Sequence, residues 1–342
     1  MPPLVSIIVP CRNEERYLAR CLDSILASAY PRDRLEIFVV DGESDDTTRL
    51  VAAGYAGMDP RIRILSNPAR TVPAALNRGI RAAGGEVIVR MDAHAIYPPD
   101  YLPRLVRALI ASGADNVGGC IVTLPAGDRP MARAIALALG HRFGVGNSHF
   151  RVGAARPRKV DTVPFGCYRR EVFERIGLFD EELIRNQDDE FNHRLIHRGG
   201  SVLLVPDVIA YYYARDSLGR VARMFYQYGC FKPLAARKAG RIVTLRSLVP
   251  GAFVLGFAAG PALALLWPAL IPLWAAVVGA YALAVLACAA RVTGSHGLRD
   301  GLALAAVFPV IHTSYGLGYW RGLWDLAARR QPAGPMAVPL SR

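Results

Sequence analysis

The strongest constraint in this sequence is an apolar segment near the C-terminus that contains no charged residue. Residues 247–290, between Arg246 and Arg291, include no Asp, Glu, Lys or Arg. About 20 apolar residues in a helix cross the core of a bilayer, so this segment can hold two crossings joined by a tight turn. A second apolar stretch, residues 301–318, is interrupted by polar side chains and is interpreted as a third crossing or a re-entrant piece. We therefore predict a membrane region at residues 241–342 with two to three apolar helices.

The net charge of +13 indicates a partner that is either nucleic acid or an anionic membrane surface. No zinc-finger spacing or other nucleic-acid signature accompanies this charge, so we expect the membrane and no nucleic-acid partner. The basic residues that flank the first two crossings are Arg237, Lys238, Arg241, Arg246, Arg291 and Arg299. Because cytoplasmic loops carry the excess of Lys and Arg, residues 1–240 are predicted on the cytoplasmic side of the membrane. A full third crossing would leave Arg321, Arg329 and Arg330 outside, which this rule disfavours.

The cysteines and the N-terminus also favour a cytoplasmic catalytic part. The six cysteines are scattered without a C-x-x-C pair, a pattern that favours neither a zinc site nor a disulfide framework. The N-terminus has no charged region before its short apolar run, so we interpret it as a strand and expect no signal peptide.

The first 110 residues alternate between strand-like and helix-like patterns. Strands are predicted at residues 5–9, 35–40, 62–65 and 86–91, and helices at residues 14–29, 47–55 and 72–83. This alternation predicts an α/β fold for residues 1–240, with a Rossmann-like, mostly parallel sheet flanked by helices. Ligands bind such sheets beyond the carboxyl ends of the strands, so the polar residues after the first, second and fourth strands are the first candidates for a site.

The pattern is less regular further along the chain. Residues 127–161 are rich in Gly and basic residues in their second half and are interpreted as a long loop. Helices are predicted around residues 171–176 and 188–197, followed by a strand at 201–205. Residues 216–238 fit a basic amphipathic helix, which would lie either in the membrane interface or against the protein core.

An acidic cluster follows the second predicted strand. Asp41, Glu43 and Asp45 lie around Gly42. A carboxylate here can accept a hydrogen bond from a nucleobase N–H or a ribose hydroxyl, and Gly42 lets a ligand approach closely. The same residues also fit an ordinary Asp-Gly turn with an Asp cap on the next helix.

Asp92 and His94 end the fourth predicted strand. Residues two apart in extended backbone project to the same side, so these two side chains are predicted to bind one ion together. A divalent cation there would act as a Lewis acid on the diphosphate of a leaving nucleotide, and the imidazole favours Mn²⁺ over Mg²⁺. The alternative is a strand-end Asp beside an unrelated His.

Asp188, Asp189 and Glu190 open the helix predicted at residues 188–197. The helix dipole stabilises acidic residues in a first turn, which is sufficient to explain such a cluster on its own. Adjacent helical side chains diverge by roughly 100°, so only one of the two aspartates can face the hydroxyl of a bound substrate. Asp188 shares the face of Phe191 and is predicted to be partly buried with a raised pKa, as a base for a hydroxyl proton requires. Asp189 is predicted to turn towards solvent or a loop.

The order and spacing of these motifs resemble the family-2 glycosyltransferases with a GT-A fold, and among them the ExoA-type succinoglycan-biosynthesis group. The similar segments are residues 7–15 (IIVPCRNEE), 39–45 (VVDGESD), 72–77 (VPAALN), 92–94 (DAH), 163–170 (VPFGCYRR), 185–190 (RNQDDE) and 315–318 (YGLG). Most of the similarity lies between Val5 and about Lys238. It implies a GT-A domain followed by transmembrane helices.

The resemblance also implies roles for single residues. The implied donor-binding residues are Pro10, Arg12, Glu14, Asp41, Asn77 and Asp92. Asp92 and His94 would bind a divalent cation, Mn²⁺ or Mg²⁺, with His94 where many relatives carry the second Asp of an Asp-x-Asp motif. Asp188 matches the catalytic base of the family, and Gln187 replaces the Glu that usually precedes it. The residues expected on the acceptor side are Phe165, Gly166, Gln187 and Asp189.

The implied activity is inverting transfer of a sugar, with UDP-glucose as the expected donor, to a lipid-linked saccharide in bacterial exopolysaccharide biosynthesis. Other polysaccharide-assembly enzymes are expected as partners. Residues 227–231 match the Gln-x-x-Arg-Trp motif of processive synthases only loosely, which predicts one sugar per encounter. One alternative is a polyprenyl-phosphate sugar transferase. Another is a sugar-phosphate nucleotidyltransferase, which would normally carry a Gly-rich phosphate loop, whereas residues 10–17 contain no Gly.

Overall fold

The computed structural model describes residues 1–240 and 247–328. The strands are β1 Val5–Cys11, β2 Leu35–Asp41, β3 Ile62–Ser66, β4 Val87–Arg90, β5 Ala95–Ile96, β6 Asn116–Leu124, β7 Arg158–Lys159, β8 Cys167–Arg169 and β9 Val202–Tyr213. The first ten helices are α1 Leu18–Leu26, α2 Thr48–Met58, α3 Val72–Ala82, α4 Tyr101–Ser112, α5 Pro130–Gly140, α6 Arg142–Val145, α7 His149–Val152, α8 Arg170–Ile176, α9 Gln187–His197 and α10 Leu218–Lys238. The C-terminal helices are α11 Val249–Leu266, α12 Ile271–His296 and α13 Leu298–Ala327.

The nine strands form one sheet in the order β3-β2-β1-β4-β8-β6-β9-β5, with β7 paired to β9. Strands β3, β2, β1 and β4 run parallel, as do β6 and β9. Strands β8, β5 and β7 run antiparallel to their neighbours, so the complete sheet is mixed. The predicted α/β fold is confirmed, and its N-terminal half has the expected parallel order.

Helices cover both faces of the sheet and bury the central strands. Every residue of β1 is buried, and in β2 only Glu36 is partly exposed. The core on one face includes Leu22 of α1, and the core on the other face includes Leu76 of α3 and Phe191 of α9. Strands covered on both faces are mostly apolar, and the polar side chains of the candidate site follow where these strands end. This arrangement brings the candidate residues after β1, β2 and β4 to one edge.

The interpretation of residues 127–161 as a long loop is wrong. The segment contains α5, two short helices and β7. Residues 130–140 are rich in Ala and Leu, which favour a helix, and Ala134, Ile135 and Leu139 are buried in a cluster shared with α13. The Gly-rich and basic composition of the second half of the segment concealed this packed helix.

Helix α10 lies against the protein core, which settles the alternative left open by the sequence. Its side chains Val221, Met224 and Phe225 belong to the apolar cluster that includes Phe308 of α13. Near its other end Phe231 contacts a second buried cluster. The apolar face of α10 is therefore occupied by protein.

The C-terminal region contains three apolar helices. Pro268–His296 and Leu298–Ala327 are long and apolar enough to cross a membrane, whereas the apolar part of α11, Val249–Leu263, is shorter. The apolar part of the first span is 6% buried and that of the second is 39% buried, so α13 has one face on the rest of the protein. The predicted third stretch, residues 301–318, lies within α13. Four residues used for the predicted orientation lie outside the described residues: Arg241, Arg246, Arg329 and Arg330.

Helices α10 and α13 approach each other at glycines. A Cβ atom on Gly318 would collide with the carbonyl oxygen of Tyr226, and one on Gly229 would collide with the carbonyl oxygen of Tyr315. Gly316 faces α11 in the same close manner. Small residues permit this backbone-to-backbone packing of helices. The segment 315–318 is thus the junction at which α10, α11 and α13 meet.

We predict that Gly318→Ala destabilises the full-length chain by about 1–3 kcal/mol, because the added methyl group has no room beside α10. Gly279→Ala is the matched control, since a Cβ atom on Gly279 meets nothing within 4 Å. Thermal unfolding in detergent should show a lower midpoint for Gly318→Ala and an unchanged or higher one for the control. Equal midpoints for the two variants would contradict the close packing.

Candidate active site

A cleft of about 660 Å³ opens beyond the carboxyl ends of β1 and β4 and continues towards the C-terminal helices. The predicted site residues that line it are Pro10, Arg12, Glu14, Asp92, His94, Phe165, Gln187, Asp188 and Asp189. Residues that are distant in the sequence therefore share one wall, as the sheet topology predicted.

Three predicted residues do not line this cleft as the described residues form it. The Asp41 carboxylate is buried and accepts hydrogen bonds from the backbone N–H and the hydroxyl of Ser44, so it shapes the loop whose Gly42 does line the cleft. Asn77 donates to the carbonyl oxygen of Phe179 at 2.9 Å and accepts from its N–H at 3.0 Å. Asn77 thus connects α3 to the segment before α9. Gly166 follows Phe165 in the sequence and is buried.

The Asp92 carboxylate is bound by Arg90, the last residue of β4. Nε and Nη2 of Arg90 donate to the two carboxylate oxygens at 2.7 Å and 2.9 Å. Burial alone would raise the pKa of Asp92, but the charge and hydrogen bonds of Arg90 outweigh it, so the pKa lies below its usual value. Asp92 is therefore ionised in the cleft.

His94 does not project beside Asp92 from an extended strand, because β4 ends at Arg90. Instead Nδ1 of His94 lies 3.0 Å from Oε1 of Glu14, and its ring lies against Tyr212 with 4.9 Å between the centroids. The described residues contain no group of three or more His, Cys, Asp or Glu that could hold a metal ion by themselves. Mg²⁺-type sites commonly use one or two carboxylates plus substrate phosphates, and the ionised Asp92 beside His94 fits that kind of site.

Asp188 and Asp189 differ in their contacts. Burial, followed by the negative charge of Asp189, raises the pKa of Asp188, and the positive charge of Arg90 opposes this shift. Asp189 does not turn to solvent as predicted: its Oδ2 accepts a hydrogen bond of 2.5 Å from Nζ of Lys232 on α10. The pKa of Asp188 is therefore shifted in the direction that a general base requires.

Three residues other than Gly that line the cleft have left-handed backbone conformations, and the first is Arg70 with φ of 60°. Phe165 has φ of 46° and Asn186, directly before α9, has φ of 60°. Such conformations are uncommon for side chains other than Gly and persist where the surroundings enforce them. The side chain of Asn186 donates to the carbonyl oxygen of Tyr228 on α10 at 3.0 Å. This bond stabilises the turn that presents Asp188.

Beyond Asp188 the cleft is lined by arginines that the sequence analysis did not select. Arg151 and Arg185 stack over the rings of Tyr212 and Tyr228 at 5.5 Å and 5.7 Å. Burial raises the pKa of Tyr228, and the positive charges of Arg185, Arg151 and Arg215 oppose this shift. All three guanidinium groups are therefore close enough to the Tyr228 hydroxyl to influence its ionisation. We call Arg151, Arg185 and Arg215 the arginine collar.

The cleft becomes apolar past the arginine collar. The side chains that line this part, which we call the throat, are Leu139, Phe143, Phe225, Pro250, Phe253 and Ile311. They come from α5, α6, α10, α11 and α13. One continuous cleft therefore connects the acidic residues of the sheet edge with the helices that are long enough to cross a membrane.

The comparisons with known proteins agree with this architecture. The sequence profile of the family Glycosyl transferase family 2 matches residues 6–177, more than half of the chain. The chain belongs to glycosyl transferase family 2. This family-2 protein is 31% identical over 326 residues to the succinoglycan biosynthesis protein ExoA of Rhizobium meliloti (strain 1021), covering 94% of this chain and 96% of that relative. It is a glycosyltransferase, and the nucleotidyltransferase alternative is set aside.

Two further similarities extend the comparison. The family-2 chain is 30% identical to the dolichyl N-acetyl-alpha-D-glucosaminyl phosphate 3-beta-D-2,3-diacetamido-2,3-dideoxy-beta-D-glucuronosyltransferase of Methanococcus voltae, over 68% of this chain and 74% of the relative. The structure of mannosyltransferase PcManGT from Pyrobaculum calidifontis in complex with GDP-Man and Mn²⁺ matches with a TM-score of 0.56 and 23% identity. That match covers 95% of this chain and 88% of the other chain, and it supports the GT-A fold.

Proposed function

We propose that this glycosyltransferase transfers a sugar, with inversion, from a nucleoside-diphosphate donor to a hydroxyl of a lipid-linked saccharide at the cytoplasmic face of a membrane. The observation that carries the proposal is the single cleft in which an ionised Asp92, a partly buried Asp188, an arginine collar and an apolar throat follow one another. Each part suits a different portion of the two substrates.

The donor is assigned to the sheet edge around Arg12 and Asp92. Arg12 lines the cleft, and its buried Nε has no hydrogen-bond partner among the described residues, so it is available to a nucleotide. Gly42 bounds the same end, and the buried Asp41 carboxylate, which accepts a hydrogen bond from Ser44, shapes the loop that carries Gly42. UDP-glucose is the donor expected from the resemblance to the succinoglycan group.

Asp92, with His94 beside it, would hold a divalent cation together with the donor phosphates. A bound cation would supply Lewis-acid stabilisation of the negative charge on the leaving nucleoside diphosphate. Arg90 keeps Asp92 ionised and oriented for this role by bonding both carboxylate oxygens.

Asp188 acts as the general base. Its carboxylate takes the proton of the acceptor hydroxyl as that oxygen bonds to C1 of the donor sugar. The bond between C1 and the phosphate oxygen breaks on the opposite side, and the nucleoside diphosphate leaves. Because the raised pKa of Asp188 makes it a better proton acceptor than an exposed carboxylate, transfer requires a pH above that pKa.

The acceptor is assigned to the arginine collar and the throat. Arginine recognises phosphate groups in a bidentate manner, so the collar suits the phosphate of a lipid carrier. The apolar throat suits the first part of a lipid chain that continues into the membrane beside α11 and α13. A polyprenyl phosphate acceptor would use the same two features, but its attacking phosphate oxygen is already an anion, so that reaction would not need Asp188 as a general base.

The names of the similar proteins support a role in glycan assembly. One is a succinoglycan biosynthesis protein, and another has a lipid-linked sugar phosphate in its name. We propose bacterial exopolysaccharide biosynthesis at the inner membrane, with other polysaccharide-assembly enzymes as partners. The predicted orientation keeps the cleft in the cytoplasm, where nucleotide sugars are made.

We predict that Asp188→Asn reduces transfer at least about a hundredfold, because the amide cannot take the acceptor proton. Asp189→Asn should keep substantial activity, since an Asn oxygen can still accept the hydrogen bond from Lys232. The measurement is transfer of labelled sugar from the donor to lipid-linked acceptor by full-length variants in membranes. An active Asp188→Asn variant together with an inactive Asp189→Asn variant would show that Asp188 is not the base.

We also predict that EDTA abolishes transfer and that Mn²⁺ restores it better than Ca²⁺, because a site with an imidazole neighbour suits a transition metal. Nucleotide release from the donor, measured across a metal titration, tests this directly. Undiminished turnover in metal-free buffer would remove the cation from the proposal.

A further inference from the structure

We infer that Lys232 is a positioning residue for the catalytic base: by pairing with Asp189 it fixes the first turn of α9 so that Asp188 alone is presented to the acceptor. The inference rests on the proposed role of Asp188 and adds a residue that no motif of the sequence indicates. Lys232 lies 43 residues along the chain from Asp189, on a different helix.

The ion pair is enclosed by protein. Nζ of Lys232 lies 2.5 Å from Oδ2 of Asp189, and the two side chains are only 9% and 17% exposed. An enclosed pair is geometrically defined, and removing one partner leaves a charge that is costly to bury. Asp188 and Asp189 both line the cleft, so removal of the Lys232 charge would make the cleft more negative beside the acceptor.

Lys232 makes one of several side-chain contacts between α10 and the segment that carries the base. Nε of Arg185 donates to Oε1 of Gln227 at 3.0 Å, and the side chain of Asn186 donates to the carbonyl oxygen of Tyr228 at 3.0 Å. Lys232 completes this series one helical turn later. Consecutive positions before and within the first turn of α9 are therefore fixed against α10.

The charges around Asp188 come from four elements. Arg90 at the end of β4 and Lys232 on α10 contribute positive charge, Asp189 on α9 contributes negative charge, and the hydroxyl of Tyr168 on β8 faces the same carboxylate. Burial and Asp189 raise the pKa of Asp188, whereas Arg90 and Lys232 lower it. Loss of Lys232 alone removes a positive charge that lowers the pKa of Asp188, whereas loss of both Lys232 and the Asp189 charge removes two opposing effects.

The test is the pH dependence of kcat/KM for the acceptor, measured on full-length Lys232→Gln, Lys232→Arg and Lys232→Gln/Asp189→Asn chains in detergent. The acid limb of this profile reports the pKa of the base in the free enzyme. We expect Lys232→Gln to shift the acid limb to higher pH by roughly one unit. The same variant should lower kcat with little change in the KM of the donor. Lys232→Arg should keep the wild-type limb, and the double variant should return the limb to the wild-type position or below it.

The double variant also distinguishes an effect of charge on the base from a loss of folding, because Gln and Asn can form a hydrogen bond in place of the ion pair. An unmoved limb in Lys232→Gln, or a limb equally displaced in the double variant, would overturn the role of Lys232. Asp188→Asn measured in parallel distinguishes this failure from failure of the proposed function. If Asp188→Asn is inactive and the limb does not move, only the inference about Lys232 fails; if Asp188→Asn is active, the proposed base itself is wrong.

Discussion

The guanidinium of Arg90 lies at the centre of the cleft, where it bonds both oxygens of Asp92 and faces Asp188. Two carboxylates in a low-dielectric cleft would repel each other and favour protonation. Arg90 changes this balance unequally: it holds the pKa of Asp92 below its usual value, while Asp188 keeps a raised one. The guanidinium of Arg90 therefore lets Asp92 remain an anion on the donor side while Asp188 acts as a proton acceptor.

The position of that proton acceptor depends on the C-terminal helices. Helix α10 holds the residues around Asp188 through side-chain contacts, and α10 is itself fixed on α13 by backbone contact at Gly229 and Gly318. Because α13 also borders the throat, the same helix contributes to the acceptor path and to the support of the base. This arrangement gives a structural role to the two glycines of segment 315–318, which lies far from the acidic motifs in the sequence.

The sequence predicted what depends on local pattern. The strands of the parallel half were found because buried strands are apolar runs that end in polar residues, and the resemblance located the acidic motifs. The loop assigned to residues 127–161 was wrong because composition was averaged over a packed helix and a Gly-rich segment. The partners of Asp92, His94 and Asp189 were also not foreseen. Only the Arg90–Asp92 pair had a local signal, since the two residues are close in the sequence and have opposite charges, whereas Lys232 meets Asp189 only through tertiary packing.

The central claim is that Asp188 activates the acceptor for a single displacement at the donor sugar. The most direct measurement is the anomeric configuration of the product formed from an α-linked nucleotide sugar, read by NMR spectroscopy of the released saccharide. A single displacement with one base inverts the configuration, so the account predicts a β-linked product. Retention would require a nucleophile on the protein and two successive displacements, and an α-linked product would contradict the assignment of Asp188 as the base of a one-step transfer.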